Sequence, residues 1–358
     1  MEQPPIPIKG RGAANAGLSA RFDDKAREND GDWLDDRAEI DGDAPPLRTQ
    51  VMIETPRTII TRNRSPDIPF DRSINAYRGC EHGCIYCFAR PTHAFHNLSP
   101  GLDFETKLFA KPIAAELLKA ELAKRGYVCT PMAMGTNTDP YQPIELRYEI
   151  TRQVIEVLAA HDHPLMITTK SARVTRDIDL LAPMAAKGLV SIMISVTTLD
   201  PHIARVMEPR ASSPRTRIAA IRRLTDAGIP TCISISPVVP AITDHEIEAL
   251  VEAGAEAGAI RAYSIVVRLP HEVAPLFREW LDLHYPDRAA KVMSLINGMR
   301  GGRDNNPDFF DRFRPEGAYA ATLQARFRKA CAKHGLNNER LHLRTDLFRV
   351  PTDQLNLF

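Results

Sequence analysis

The run Arg78-Gly79-Cys80-Glu81-His82-Gly83-Cys84-Ile85-Tyr86-Cys87-Phe88 places three cysteines at the spacing Cys-x3-Cys-x2-Cys. It supplies three thiolates from one short loop, and Gly79 and Gly83 let the backbone curl around a compact centre. Three cysteines are one short of the four that usually close an iron–sulfur cluster. A cubane held this way keeps one iron open for a further ligand. The competing reading is zinc, since Cys-x2-Cys pairs commonly bind that ion. A closed zinc site needs a fourth ligand, yet the chain has no second Cys-x2-Cys pair. The candidates nearby are His82, His93 and His96, which read as loop or surface histidines.

Outward from that loop, the composition bounds the rest. A chain of 358 residues with 44% hydrophobic side chains can hold one large catalytic domain plus tails. A net charge of +1 gives no global field that argues for nucleic acid. Six cysteines in a chain this long do not suggest a disulfide framework. Cys129, Cys232 and Cys331 are scattered and read as small buried hydrophobes. The N-terminus lacks a basic-then-apolar signal segment and no long apolar run occurs, so the expected location is the cytoplasm, where reduced thiolates survive. Residues 1–50 hold eleven acids against seven bases and few large apolar groups, which predicts a poorly ordered leader. Within it, Ile8-Lys-Gly-Arg-Gly-Ala13 is a candidate for docking on the core.

From about residue 73 short apolar runs alternate with helical patterns. Ser73 to Tyr77 leads into the cysteine loop, Tyr127 to Met134 is a strand candidate, and Gly135-Thr-Asn-Thr-Asp-Pro140 turns. Ile150, Val154, Val157 and Leu158 recur at helical spacing. Pro164 to Thr169, Leu189 to Val196, Thr231 to Ser236 and Ala262 to Arg268 read as further strands. Arg215 to Ala227 reads as a helix stopped by Gly228 and Pro230. Thr243-x-x-Glu246 reads as a capping box. Such alternation predicts an α/β fold with a parallel sheet and ligands at the carboxyl ends of its strands. Polar groups cluster there: Thr136, Asn137 and Thr138, then Thr168 to Ser171, then Ser195, Thr197 and Thr198. Residues 276–350 look mainly helical, with a break at Gly301-Gly302, and 351–358 read as a free tail.

The cysteine loop, with the aromatic Tyr86 just before its third cysteine, resembles the signature of the radical S-adenosylmethionine (SAM) enzymes. That resemblance implies a partial (β/α)6 TIM-like barrel over residues 51–275. It also implies a [4Fe–4S] cluster on Cys80, Cys84 and Cys87, and SAM chelated at the open iron. An electron from the reduced cluster, supplied by a donor protein, then breaks the C–S bond and yields methionine and a 5′-deoxyadenosyl radical. Over roughly 73–245 the order of cysteine loop, Gly135-Thr136-Asn-Thr-Asp139, Thr169-Lys170 and Ile194-Ser195 is similar to the spore photoproduct lyase group of DNA-repair enzymes. The likeness makes Tyr86, Thr136, Lys170 and Ser195 the candidates for contacting SAM. One departure stands out: the lyase has a hydrogen-donating cysteine where this chain has Gly135. Cys129 falls at the wrong end of the strand to replace it, so another donor, such as a tyrosine, or another substrate is required; Tyr141 is close in sequence.

Two features bear on partners. Arg205, Arg210, Arg215, Arg217, Arg222 and Arg223 form one basic set, and Arg57, Arg62, Arg64, Arg72 and Arg78 another. Arginines near the mouth of a site meet phosphates, but no array of stacking aromatics accompanies them. The last residues, Gln354-Leu355-Asn356-Leu357-Phe358, resemble the pentapeptide by which bacterial repair and replication proteins bind the sliding clamp, with Asn356 the one deviation. The expected function is a radical SAM enzyme acting on DNA or a nucleic-acid base in repair. The alternatives are action on RNA, protein or a metabolite, or a zinc-holding, clamp-associated module without activity.

Overall fold

The structure is a computed structural model that describes residues 7–19, 21 and 48–351. Its strands are β1 (Gln50–Ile53), β2 (Ile60–Arg62), β3 (Arg72–Ile74), β4 (Tyr77–Arg78), β5 (Lys107–Ala110), β6 (Met132–Met134), β7 (Leu165–Thr169), β8 (Val190–Ser195), β9 (Thr231–Val238) and β10 (Arg261–Val266). Seven of them form one sheet in the order β10-β9-β8-β7-β6-β3-β2. Every pairing from β3 to β10 is parallel, and β2 closes the β3 edge antiparallel. Six parallel strands joined through helices are the partial α/β barrel expected. The two end strands do not pair, so the sheet stays open. β1, β5 and β4 make a small second sheet beside the cysteine loop.

The two faces of the large sheet differ because side chains alternate along each strand. One cross-strand row runs Thr169, Ile194, Ile233, Ala262, and a second runs Met134, Ile167, Ile192. These apolar rows belong to the main core together with Leu158, Leu181, Leu224 and Leu250 from the helices Ile150–Ala160, Ile178–Ala186, Pro214–Asp226 and Ile247–Glu256. The opposite face carries Ala133, Met166 and Ser191 in one row and Ser195, Ser234 and Tyr263 in another. That face mixes small and polar residues such as Ser191, Ser195 and Ser234 with Met166, Met193 and Tyr263.

Two local readings differ from the structure. The strand expected over Tyr127 to Met134 is confined to Met132–Met134. Ahead of it, the Val128 carbonyl accepts from Arg72 Nη1 at 2.6 Å, and the Tyr127 ring packs on His163 and Phe348. The capping box at Thr243 and Glu246 does not form. The Thr243 hydroxyl instead accepts from Val239 N at 2.9 Å, and Glu246 accepts from Leu199 N at 3.1 Å and from the Thr198 hydroxyl.

Beyond β10 come helices Val273–His284, Pro286–Gly298 and Gly317–Lys333, with Gly301 and Gly302 in the interruption. Phe277 and Trp280 of the first share a core with Ile85 and Tyr86 of the cysteine loop, and Trp280 Nε1 donates to the Val206 carbonyl at 3.0 Å. Gly12 and Ala13 of the leader also lie against that loop. Gln354, Leu355, Leu357 and Phe358 lie outside the described residues. Among the described residues, no helix is long and apolar enough to cross a membrane. Ile233 is fully buried in the central row. Ile233→Ala should therefore cost about 2–5 kcal/mol of stability, read from urea unfolding midpoints at constant slope.

Candidate metal centre

The cysteine loop leaves β4 and winds tightly. Gly79 and Gly83 take positive φ, Gly83 N donates to the Cys80 carbonyl and Cys87 N to the Cys84 carbonyl. Cys80 and Cys84 are buried and Cys87 is half-buried. Burial pushes the Cys80 thiol well above its ordinary value, and Asp139, Cys84 and Cys87 add to the rise. Burial also pushes Cys84 up to about 12; Lys170 opposes it, while Glu208 and Cys87 add. The three sulfurs thus sense one another in a shielded space, and metal binding there must release protons.

Three thiols from one loop, two of them buried, are a donor set that an iron–sulfur cluster can use. Around zinc, sulfurs close to about 2.3 Å from the metal, whereas cubane ligands stand on separate irons. Among the described residues no group of three or more His, Cys, Asp or Glu side chains is drawn in around one ion. His82 and His93 are buried, contrary to the loop-or-surface reading, because each ring has a partner inside. His82 Nδ1 lies 3.3 Å from Asp139 Oδ2, and His93 Nε2 bonds the Lys107 carbonyl at 2.9 Å. Only His96 is exposed.

One arginine fixes the loop. Arg90 is fully buried and satisfies all five N–H groups. Nε donates to the Cys84 carbonyl (2.9 Å), Nη1 to Pro100 and Gly101 carbonyls (3.0 and 2.9 Å), and Nη2 to the Gly83 carbonyl and Glu105 Oε1 (3.1 and 2.5 Å). Glu105, equally buried, also accepts from Gly12 N at 3.0 Å and Ala13 N at 2.9 Å, so the leader segment lies over the loop. A Cβ on Gly12 would stand 1.9 Å from the Gly83 carbonyl oxygen, which leaves space for glycine alone.

The segment after β6 forms a second brace. Thr138 donates to the Gly79 carbonyl at 2.6 Å, and Gln142 spans Gly79 O and Glu81 N. Asp139 accepts from Thr169 Oγ1 and Lys170 N, both at 2.7 Å. Burial alone would raise its carboxyl, but His82 and these donors bring it down to about 2.

Of the four candidates for a ligand shell, Tyr86 and Lys170 meet directly: Lys170 Nζ lies over the Tyr86 ring at 5.7 Å. Burial works against the Lys170 charge, yet Cys84 and Glu208 hold its pKa above the ordinary value. Ser195 is buried one step away. Its carbonyl accepts from Arg217, Arg217 pairs with Glu208, and Glu208 accepts from the Tyr86 hydroxyl. Thr136 is further off, sharing hydrogen bonds with Asn75 at 3.2–3.3 Å.

Sequence reasoning missed Arg90, Glu105 and Glu208, because a buried ion pair between distant residues leaves no local pattern. It also misplaced Arg217, which is buried in this network rather than offered to phosphate. Arg72 and Arg78 are likewise paired, with Asp71 and Glu54, and Arg210 with Glu81. Tyr141 does not face the site; it is buried with its hydroxyl on Asp177 at 2.9 Å. Tyr263, in the row of Ser195 on the ligand face, was not singled out.

A family model described as the Radical SAM superfamily matches residues 74–254, about half of the chain. An uncharacterized protein of Mycobacterium tuberculosis is 34% identical over 265 residues, covering 74% of this chain and 76% of the relative. A protein of Pseudomonas phage M6 named Radical SAM Nalpha-GlyT isomerase is 25% identical over 225 residues, 62% of this chain and 45% of that protein. Spore photoproduct lyase complexed with dinucleoside spore photoproduct superposes with a TM-score of 0.53 at 16% identity over 80% of each chain, a likeness of fold.

Gly135 sits where the backbone leaves no room for a side chain. Its φ is +87°, and a Cβ there would lie 1.9 Å from the Thr168 carbonyl oxygen. Gly135→Cys should therefore destabilise the protein by at least about 1–3 kcal/mol rather than install a thiol at the site. Thermal melts of Gly135→Cys and Gly135→Ala, expected to fall together, check this.

Proposed function

Because the chain belongs to the radical SAM superfamily, we propose that Cys80, Cys84 and Cys87 hold a [4Fe–4S] cluster and that SAM binds beside it, against Tyr86, Lys170 and Ser195. Together these groups supply reductive cleavage of SAM to methionine and a 5′-deoxyadenosyl radical. The observation that carries the reading is the trio of thiols on one loop, Cys80 and Cys84 buried and Cys87 half-buried, with Lys170 Nζ over the Tyr86 ring of the same loop. The chain's own part is positional. Arg90 and Gln142 hold the loop backbone, Trp280 and Phe277 keep water from behind Tyr86, and Lys170 offers a cation to a carboxylate. Thr136, held by Asn75, lines the same rim.

The substrate in this reading is DNA or a nucleic-acid base, and the process is repair. The fold shared with spore photoproduct lyase supports it, as do the exposed Arg205, Arg215, Arg222 and Arg223. The clamp-like tail at Gln354, Leu355, Leu357 and Phe358 supports recruitment to replicating DNA. The reaction differs from that of the lyase where hydrogen is returned, since Gly135 leaves no thiol there.

After anaerobic reconstitution the protein should carry about four iron and four sulfide per chain. With reductant it should release 5′-deoxyadenosine, and Cys84→Ala should lose both properties. Bound zinc with intact SAM would overturn the proposal. Mass spectrometry of damaged DNA, undamaged DNA and RNA after turnover then identifies the substrate. Deleting residues 354–358 should weaken binding to a bacterial sliding clamp at least about tenfold; unchanged affinity removes the clamp from the account.

A further inference from the structure

Arg268 lies two residues beyond β10, at the same carboxyl rim as Lys170 and Ser195. Its side chain is half-buried and its Nε is buried without a hydrogen-bond partner. Among the described residues its guanidinium has no carboxylate partner, and it sits 4.6 Å over the ring of Phe313. The charged groups that bear on it are Arg312, Arg300 and Asp67. Burial, then Arg312 and Arg300, draw its pKa down to about 10. Asp67 is already gripped by Arg312 through both oxygens, at 2.5 and 2.7 Å. Arg300 directs its terminal nitrogens to the carbonyls of Arg312, Val266 and Val267. Three cations therefore face one acid whose oxygens are taken.

A half-buried guanidinium without an acceptor is unfavourable unless a ligand supplies one. The surroundings suggest which. Phe309 and Phe310 are exposed in the segment that carries Phe313, and Arg312 lies over the rings of Phe309 and Phe313, 5.0 Å from each. Of the acids in this segment, Asp304 pairs with Arg278, while Asp308 and Asp311 are exposed. Rings interleaved with guanidiniums form the kind of surface on which unpaired bases stack while arginines take phosphate. The run Phe309-Phe310-Asp311-Arg312-Phe313 stands in the sequence, but Arg268 joins it at Phe313 only through the fold.

We propose that Arg268, backed by Arg300 and Arg312, is the subsite for a phosphate of a single-stranded nucleic acid, with Phe309 and Phe310 as its stacking platform. The source of the phosphate rests on the nucleic-acid reading above; the anion site rests on Arg268 itself.

The test uses the full chain and fluorescence anisotropy of a labelled short oligothymidylate across a salt series. Arg268→Gln should weaken binding about tenfold and reduce the salt slope by about one. Lys119→Gln, on the exposed face of helix Ala114–Leu122, should leave both unchanged. Without ligand, Arg268→Gln should melt no lower than the parent, since it removes an unpaired cation; a clearly lower melt marks Arg268 as structural and overturns the proposal. Tripolyphosphate as competitor separates the two layers. If it binds through Arg268 while the oligonucleotide does not bind, the anion site stands and the nucleic-acid reading fails. Oligonucleotide binding indifferent to Arg268 leaves that reading intact and overturns the subsite, and so does failure to bind either probe.

Discussion

The buried pair of Arg90 and Glu105 is the constraint on which the rest depends. A loop that must present three sulfurs inward cannot form a regular ladder, so its carbonyls need donors from elsewhere. Arg90 supplies them to Gly83 and Cys84 and fixes Pro100 and Gly101 with the same guanidinium. Glu105 balances the charge and draws in the backbone of Gly12 and Ala13. Burying both ions is expensive, and a matched geometry with every donor used is what makes it tolerable. The arrangement contributes less to net stability than to uniqueness: one loop conformation satisfies it.

Around that pair the fold distributes its tasks. The helix-covered rows of the sheet build the core, and the opposite face carries Ser191, Ser195 and Ser234 among larger side chains. Strand ends then deliver Lys170 and Ser195 toward the loop, while Asp139 ties the ends of β6 and β7 to His82. The chain of Tyr86, Glu208, Arg217 and the Ser195 carbonyl joins the loop to β8. Two of the candidate cofactor contacts, Tyr86 and Ser195, are therefore tied through one chain of hydrogen bonds.

What the sequence made legible was whatever a short span encodes. The cysteine spacing is such a signal, and so are the apolar runs of β7, β8 and β9, which located the parallel sheet. Short-range signals also misled. Thr243 and Glu246 have capping-box spacing, but tertiary partners at Val239 and Leu199 claim them. Arg217 looked like part of a basic face because charge alone does not show that Glu208 waits in the interior. His82 and His93 looked exposed because their partners, Asp139 and the Lys107 carbonyl, lie elsewhere in the chain. The rim at Arg268 and Phe313 was invisible for the same reason.

The central claim is that three shielded thiols carry one cluster with an open iron beside Lys170. Electron paramagnetic resonance of the reduced, reconstituted protein, recorded with and without SAM, tests it most directly. The account predicts a [4Fe–4S] signal that shifts when SAM is added, with the shift weakened in Lys170→Ala and the signal absent in Cys84→Ala. A signal indifferent to SAM, or no cluster signal in protein that holds zinc, would contradict it.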